Sequence, residues 1–205
     1  MYAQGRGVGE DRDEAMRWLR AAAEQKVAEA QFNLAGLLLA GAEPDYAAVR
    51  RWLAQAAEAG LDRAQHTLAK LYEYGLGGAA DDAKAFHYFT LAAAQGHLGA
   101  MYNLGKAMRD GRGGGPDEAK SVDWFRRAAE RGYAKAQAKL GDRYAKGRGV
   151  PRDDVEAYIW TALAARQGLG SAAAELEALR QRLSAARQRE AERRIAEFRT
   201  KVGPP

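Results

Sequence analysis

The stretch Gly-Arg-Gly-Val stands at Gly5 to Val8 and again at Gly147 to Val150, with the relatives GLGG from Gly75 and GRGG from Gly111. Gly-rich loops ahead of a helix can cradle phosphate, because backbone N–H groups converge there and a helix N-terminus favours anions. That chemistry needs a strand before the loop and a Lys reaching the phosphates; here no Lys-Ser or Lys-Thr follows, and a helical pattern precedes. The three histidines, His66, His87 and His97, have neither HExxH order nor metal-ligand spacing. The acidic pairs Asp81-Asp82 and Asp153-Asp154 could serve acid/base chemistry, but they fall at helix starts, where capping accounts for them. The serines are Ser121, Ser171 and Ser184, none in a nucleophile elbow. Zero Cys removes thiol nucleophiles, thiolate metal sites and disulfides. No catalysis, cofactor or metal is expected, and a hydrolase hidden in a groove is the weakest reading.

The elements that carry these residues repeat. Aromatic residues recur at Trp18, Trp52, Tyr88, Trp124 and Trp160, at steps of 34, 36, 36 and 36. Seven residues before each stands Asp11, Asp45, Asp81, Asp117 or Asp153, and eight after the last four stands Gly60, Gly96, Gly132 or Gly168. A second set, Leu34, Leu68, Leu104 and Leu140, follows Ala30, Ala64, Ala100 and Ala136 by one helical turn. A fixed period of this length marks a repeat array. Each unit reads as two helices: helix A with Ala and Leu on one face, and helix B opened by the capping Asp and closed by Gly. The Gly-rich loops are therefore the joints between helices A and B.

The pattern resembles the Sel1-like repeat family, which is related to the tetratricopeptide repeat. The fourth unit carries its motif most fully, as AKAQAKLGDRYAKGRGVPRDDVEAYIWTALAARQG from Ala134 to Gly168. Departures are Leu38 and Met108 for Tyr, Tyr88 for Trp, and a GAEPD loop two residues short in the first unit. The resemblance implies an all-α, right-handed superhelical α-solenoid acting as a non-catalytic protein-interaction scaffold or adaptor. The cysteine-rich branch linked to β-lactamase activity does not fit a chain without Cys. The organisation expected is a partial repeat over 1–26, with helix B alone, then repeats over 27–60, 61–96, 97–132 and 133–168, and capping helices over 169–205, an arrangement that resembles bacterial members.

In the tail, Ala172, Leu176, Leu179 and Leu183 form one apolar stripe, and Ala191, Ile195, Phe198 and Val202 a second, with Ser184 as N-cap between them. At the front, Trp18 has no preceding helix A, so contact with another chain or an upstream segment is expected there. The net charge of +5 is mostly C-terminal: from Ser171 on, eight basic residues face five acidic ones. A basic helix surface bearing Arg187, Arg189, Arg193 and Arg194 is the alternative reading, for nucleic acid or an anionic membrane. The apolar run Leu34 to Ala42 is too short to span a bilayer, and no signal-peptide pattern is present. The compartment stays open: cytoplasmic if Met1 is the native start, periplasmic or secreted if the chain is a fragment.

By analogy with related two-helix repeats, groove-facing positions of helix A lie two before the repeated Leu and two and five after it. The first row reads Phe32, His66, Tyr102, Ala138; the second Gly36, Lys70, Lys106, Asp142; the third Leu39, Glu73, Arg109, Ala145, with Tyr74 beside it. The expected partner-binding set is Phe32, His66, Lys70, Tyr74, Tyr102, Lys106 and Arg109. Rings beside cations suit a peptide with apolar and acidic groups. In an array stabilised by neighbours, truncating a central leucine removes more packing than truncating one in the cap. Leu104→Ala is expected to cost roughly 2–5 kcal/mol, and Leu183→Ala clearly less, as read from urea unfolding.

Overall fold

The computed structural model describes residues 12–202, with side chains from 12 to 198. Gly5 to Val8 and Asp11 lie outside the described residues, as does the side chain of Val202. The described residues form α-helices and no strand, and the chain divides into two units, Met1–His97 and Leu98–Pro205.

The first unit holds α1 (Arg12–Glu24), α2 (Ala28–Leu39), α3 (Tyr46–Glu58), α4 (Asp62–Tyr74) and α5 (Asp82–Ala94). Each helix packs on its chain neighbour. Ala35, Val49, Leu53, Ala56, Ala57 and Leu68 form its buried centre, with Trp52 and Tyr88 packed around them. The second unit holds α6 (Leu98–Asp110), α7 (Glu118–Glu130), α8 (Ala134–Lys146), α9 (Asp154–Arg166), α10 (Gly170–Arg182) and α11 (Ala185–Val202). Leu104, Phe125, Leu140, Leu179 and Ile195 are fully buried there.

The sequence motif explains these boundaries. Asp45, Asp81 and Asp117 each accept the backbone N–H three residues on at 2.9 Å, and Asp153 accepts from both Val155 and Glu156. The N–H groups of Asp81, Asp117 and Asp153 donate to the carbonyls of Tyr72, Met108 and Tyr144, which closes each A–B joint. One side-chain carboxylate thus satisfies helix B's free donors while its own backbone ties it to helix A. The helix ends are latched as well. Gln31, Gln65 and Gln137 are buried and donate to the carbonyls of Ala23, Ala57 and Ala129, the C-terminal groups of the preceding helix B. Met101 occupies this place in the third repeat.

The Gly-rich loops are joints with a packing role. Gly75 and Gly147 end α4 and α8 in the left-handed conformation. Two residues on, Gly77 and Gly149 also have positive φ and pass so close to the start of α3 and α7 that a Cβ would stand 2.2 Å from the carbonyl oxygens of Tyr46 and Glu118. The shortened GAEPD loop is different: α2 ends at Ala40 without a left-handed residue, and Arg12 of α1 donates to the carbonyls of Leu37 and Ala40.

The tail continues the pattern and then leaves it. α10 lies 36 residues after α8, with Ala172 in the place of Ala136. Leu179 and Leu183 are buried, whereas Leu176 is only partly covered. α11 packs on α9 through Ala191 and Ile195, with the Phe198 ring set edge-on to Trp160 at 5.5 Å. α9 is buried from Ala157 to Ala164 as a result. Ser184 accepts the Arg187 N–H at 3.4 Å at the start of α11. A Cβ at position 149 meets backbone and imposes a strained φ, whereas Gly115 has open space around it. Gly149→Ala is expected to lower stability by roughly 2 kcal/mol and Gly115→Ala by less than about 0.5 kcal/mol, as read from denaturant midpoints at constant slope.

Candidate functional site

Helix A of each repeat carries the candidate residues, and the two units present them separately. In the first unit, Phe32 of α2 is half-buried against the core, and the Arg63 guanidinium of α4 sits 4.9 Å above its ring. Arg63 also reaches Glu29 of α2 at 2.5 Å, so one arginine ties an aromatic and a carboxylate together across the repeats. His66 of α4 stacks on His97 at 4.3 Å and tilts against Phe89 of α5 at 5.9 Å. Its ring fills the hairpin. Burial, then the neighbouring His97 and Lys70, hold its pKa down to about 4, against a smaller opposing pull from Asp62. Burial also lowers that of His97. One turn after His66, Lys70 is exposed and makes no ion pair among the described residues; one turn further, Tyr74 is 59% exposed.

In the second unit, Tyr102 of α6 repeats the His66 arrangement. Its ring meets Phe125 of α7 at 5.7 Å and Tyr133, in the joint before α8, at 5.8 Å, and burial raises the hydroxyl pKa. Lys106 is half-buried one turn on. Arg109 is engaged: its guanidinium donates twice to Asp110, at 2.5 and 2.9 Å, and Arg112 shares that carboxylate. The sequence-predicted set therefore divides in two. Phe32, His66 and Tyr102 are wedged partly into their hairpins, while Lys70, Tyr74 and Lys106 face outward.

Sequence reasoning missed a pocket of about 310 Å³ on the helix-A side of α6, α8 and α10. Tyr102 forms one wall, Leu169 and Ala172 another, and Ala138 stands where the three earlier repeats have a ring. Lys135, Lys139 and Glu175 reach into it from positions five and one before the repeated leucine, rows outside the analogy used above. Burial pushes the Lys139 pKa down and the Glu175 pKa up, the latter helped by Asp142. Asp142 itself is held by Lys146 and Arg143. The loss of a ring at Ala138, coinciding with new charges at 139 and 175, is the signal the sequence offers.

The alternative basic surface is satisfied at two of its four arginines. Arg193 is gripped by Glu190 and Glu197, and Arg194 by Glu156 of α9. Arg187 and Arg189 remain exposed. Among the described residues no group of three or more His, Asp or Glu converges as a metal site, and no helix is long and apolar enough to cross a membrane.

Hairpins of this construction match a known family model, the Sel1 repeat, over residues 1–27, 28–61, 62–97, 99–133 and 134–169. The chain belongs to the Sel1 repeat family. Sel1 repeats are commonly protein-interaction scaffolds and generally lack enzymatic activity. Among solved structures, a protective antigen present in uropathogenic Escherichia coli strains is 32% identical at a TM-score of 0.91, covering 99% of this chain and 44% of that one. A Sel1 repeat protein from Oxalobacter formigenes is 28% identical at 0.82, covering 100% and 82%. A third, from Klebsiella pneumoniae, shares the fold at 23% identity and 0.52, covering 80% and 83%. The chain thus spans less than half of the first of these and most of the other two. A search of curated proteins finds no match. Because the His66 pKa is lowered in the fold, the unfolded chain takes up a proton near pH 6.5 that the folded chain refuses until about 4. Stability on this account is full above about pH 6.5 and falls as the pH drops toward 4. His66→Phe is expected to flatten that part of the slope in thermal melts between pH 4 and 7.

Proposed function

We propose that this Sel1 repeat chain is a non-catalytic scaffold that binds a partner polypeptide along the helix-A faces of its repeats. The observation that carries this reading is on α4: an aromatic ring, Tyr74, stands 59% exposed one turn from Lys70, which makes no ion pair among the described residues. A tyrosine offers a large, rigid, amphipathic contact at low cost in side-chain entropy, and such residues dominate interface energetics. Lys70 favours a carboxylate beside it. Phe32 under Arg63 extends the same mixture of ring and cation on α2, and the exposed part of His66 lies between them. On the second unit, the outer edge of Tyr102 and Lys106 supply the equivalent pair. Arg109 contributes mainly through Asp110, since its donors are already engaged.

In this reading residues 27–168 supply the binding repeats and 169–205 close the array. The partial repeat over 1–26 offers a second contact through Trp18, which is 60% exposed with only its indole N–H satisfied, by Glu14. The natural partner carries acidic and apolar side chains. Its binding depends weakly on salt, unlike a nucleic-acid interface, whose affinity falls steeply with ionic strength. Selection of a displayed random-peptide library on the wild-type chain is expected to enrich acidic, apolar-containing peptides. These peptides should bind the Lys70→Ala, Tyr74→Ala double variant at least about tenfold more weakly, corresponding to about 1.4 kcal/mol. Full retention of affinity by that variant, or no enrichment at all, overturns the proposal.

A further inference from the structure

The second unit places a cavity where its repeat geometry calls for a ring. At the position two before the repeated leucine, Phe32, His66 and Tyr102 precede Ala138. The Tyr102 ring is held by Phe125 and Tyr133; the residues standing 36 positions further on are Thr161 and Leu169, and Leu169 lines the pocket beside Ala138. At about 310 Å³ the space is at the small end of ligand cavities, roughly 300–1,000 Å³, and suits one large side chain rather than a cofactor. The rim carries charges held only at longer range, Lys139 by Asp142 and Glu175 by Lys146 and Lys139. Lys135, Lys139 and Glu175 make no ion pair or hydrogen bond among the described residues, although Lys139 and Glu175 are both half-buried. In the first unit the corresponding row is satisfied internally, by Arg63 on Glu29. In the second, Gly99 and Ser171 flank Lys135 in that row and leave it without a carboxylate.

We propose that the pocket between α6, α8 and α10 receives one aromatic side chain of a partner polypeptide, with an acidic neighbour at Lys135 and Lys139 and a basic neighbour at Glu175. The inference rests on the scaffold reading and names the partner feature that this site takes. The partner's ring completes the row that Ala138 interrupts, packing on Leu169 and against Tyr102, while its flanking charges supply the direct ion pairs that Lys135, Lys139 and Glu175 do not make among the described residues. Charge groups desolvated in this way reward a matching partner and penalise an apolar one, so the pocket selects sequence context as well as the ring.

The test is isothermal titration of the full chain with a terminally blocked Gly/Ser nonapeptide carrying Glu-Trp-Lys, or Lys-Trp-Glu, at its centre. One-to-one saturable binding is expected for at least one order. It should weaken at least about tenfold when the peptide's Trp becomes Ala, and equally when Ala138→Phe fills the pocket from within. Ala138→Phe copies the rings of the preceding repeats, and its melting temperature checks that it folds. Lys139→Gln and Glu175→Gln, each expected to weaken binding severalfold, carry the test if it does not. Absence of saturable binding, undiminished binding to Ala138→Phe, or equally tight binding of N-acetyl-tryptophan amide overturns the inference. Where library-selected peptides bind the chain but show none of this dependence, the pocket assignment falls and the scaffold reading stands. Where no peptide of any kind binds, the scaffold reading falls with it.

Discussion

A helix A can lie against the helix B that follows it only because a hydrogen atom or a methyl group stands where they cross. In the second unit these residues are Gly105 and Gly141: a Cβ at the first would come within 2.7 Å of the Phe125 ring, and at the second within 2.4 Å of Thr161 Oγ1. In the first unit buried Ala35 and Ala69 serve. The close approach lets Leu34, Leu68, Leu104 and Leu140 lose all contact with water, and brings the buried glutamines within reach of the carbonyls that end the preceding helix. Close packing of this kind tolerates little added volume, which is why small residues recur at the same places.

The hairpins were legible because their signals are local and periodic. An Asp at a helix start, an aromatic two turns later and a terminal Gly each act within one helix, and the 36-residue spacing repeats them. The role of Gln31, Gln65 and Gln137 is not legible from spacing, since each acceptor lies eight residues back across a turn. The site was less legible. Positions two before the leucine were assigned outward by analogy, yet His66 and Tyr102 gain more from packing on Phe89 and Phe125 than from standing in water. In the sequence Lys139 and Glu175 each look like an ordinary surface charge; only the fold puts them on one pocket.

The charges of the described residues divide into those answered within the chain and those that are not. Arg63, Arg109, Arg193 and Arg194 have all found carboxylates. Arg143 is buried and grips Glu118 at 3.0 Å, bracing α8 against α7. Such pairs fix geometry and leave little to offer a ligand. Lys70, Lys135, Lys139 and Glu175 have found no such partner among the described residues, and all four stand on A helices. On the proposed reading, the binding surface draws on the unanswered charges of α4, α8 and α10.

α10 keeps step with the array and α11 does not: it starts 31 residues after α9, and seals Trp160 with Phe198 instead of presenting another joint. Within the second unit the 36-residue register therefore breaks between α10 and α11. Removing or adding one whole 36-residue block ahead of residue 170 would leave α11 seated on the helix B that then precedes α10, because it packs on that helix. An extra hairpin inserted between α10 and α11 would instead pull α11 from Trp160, leaving an apolar end free to grow or to stick.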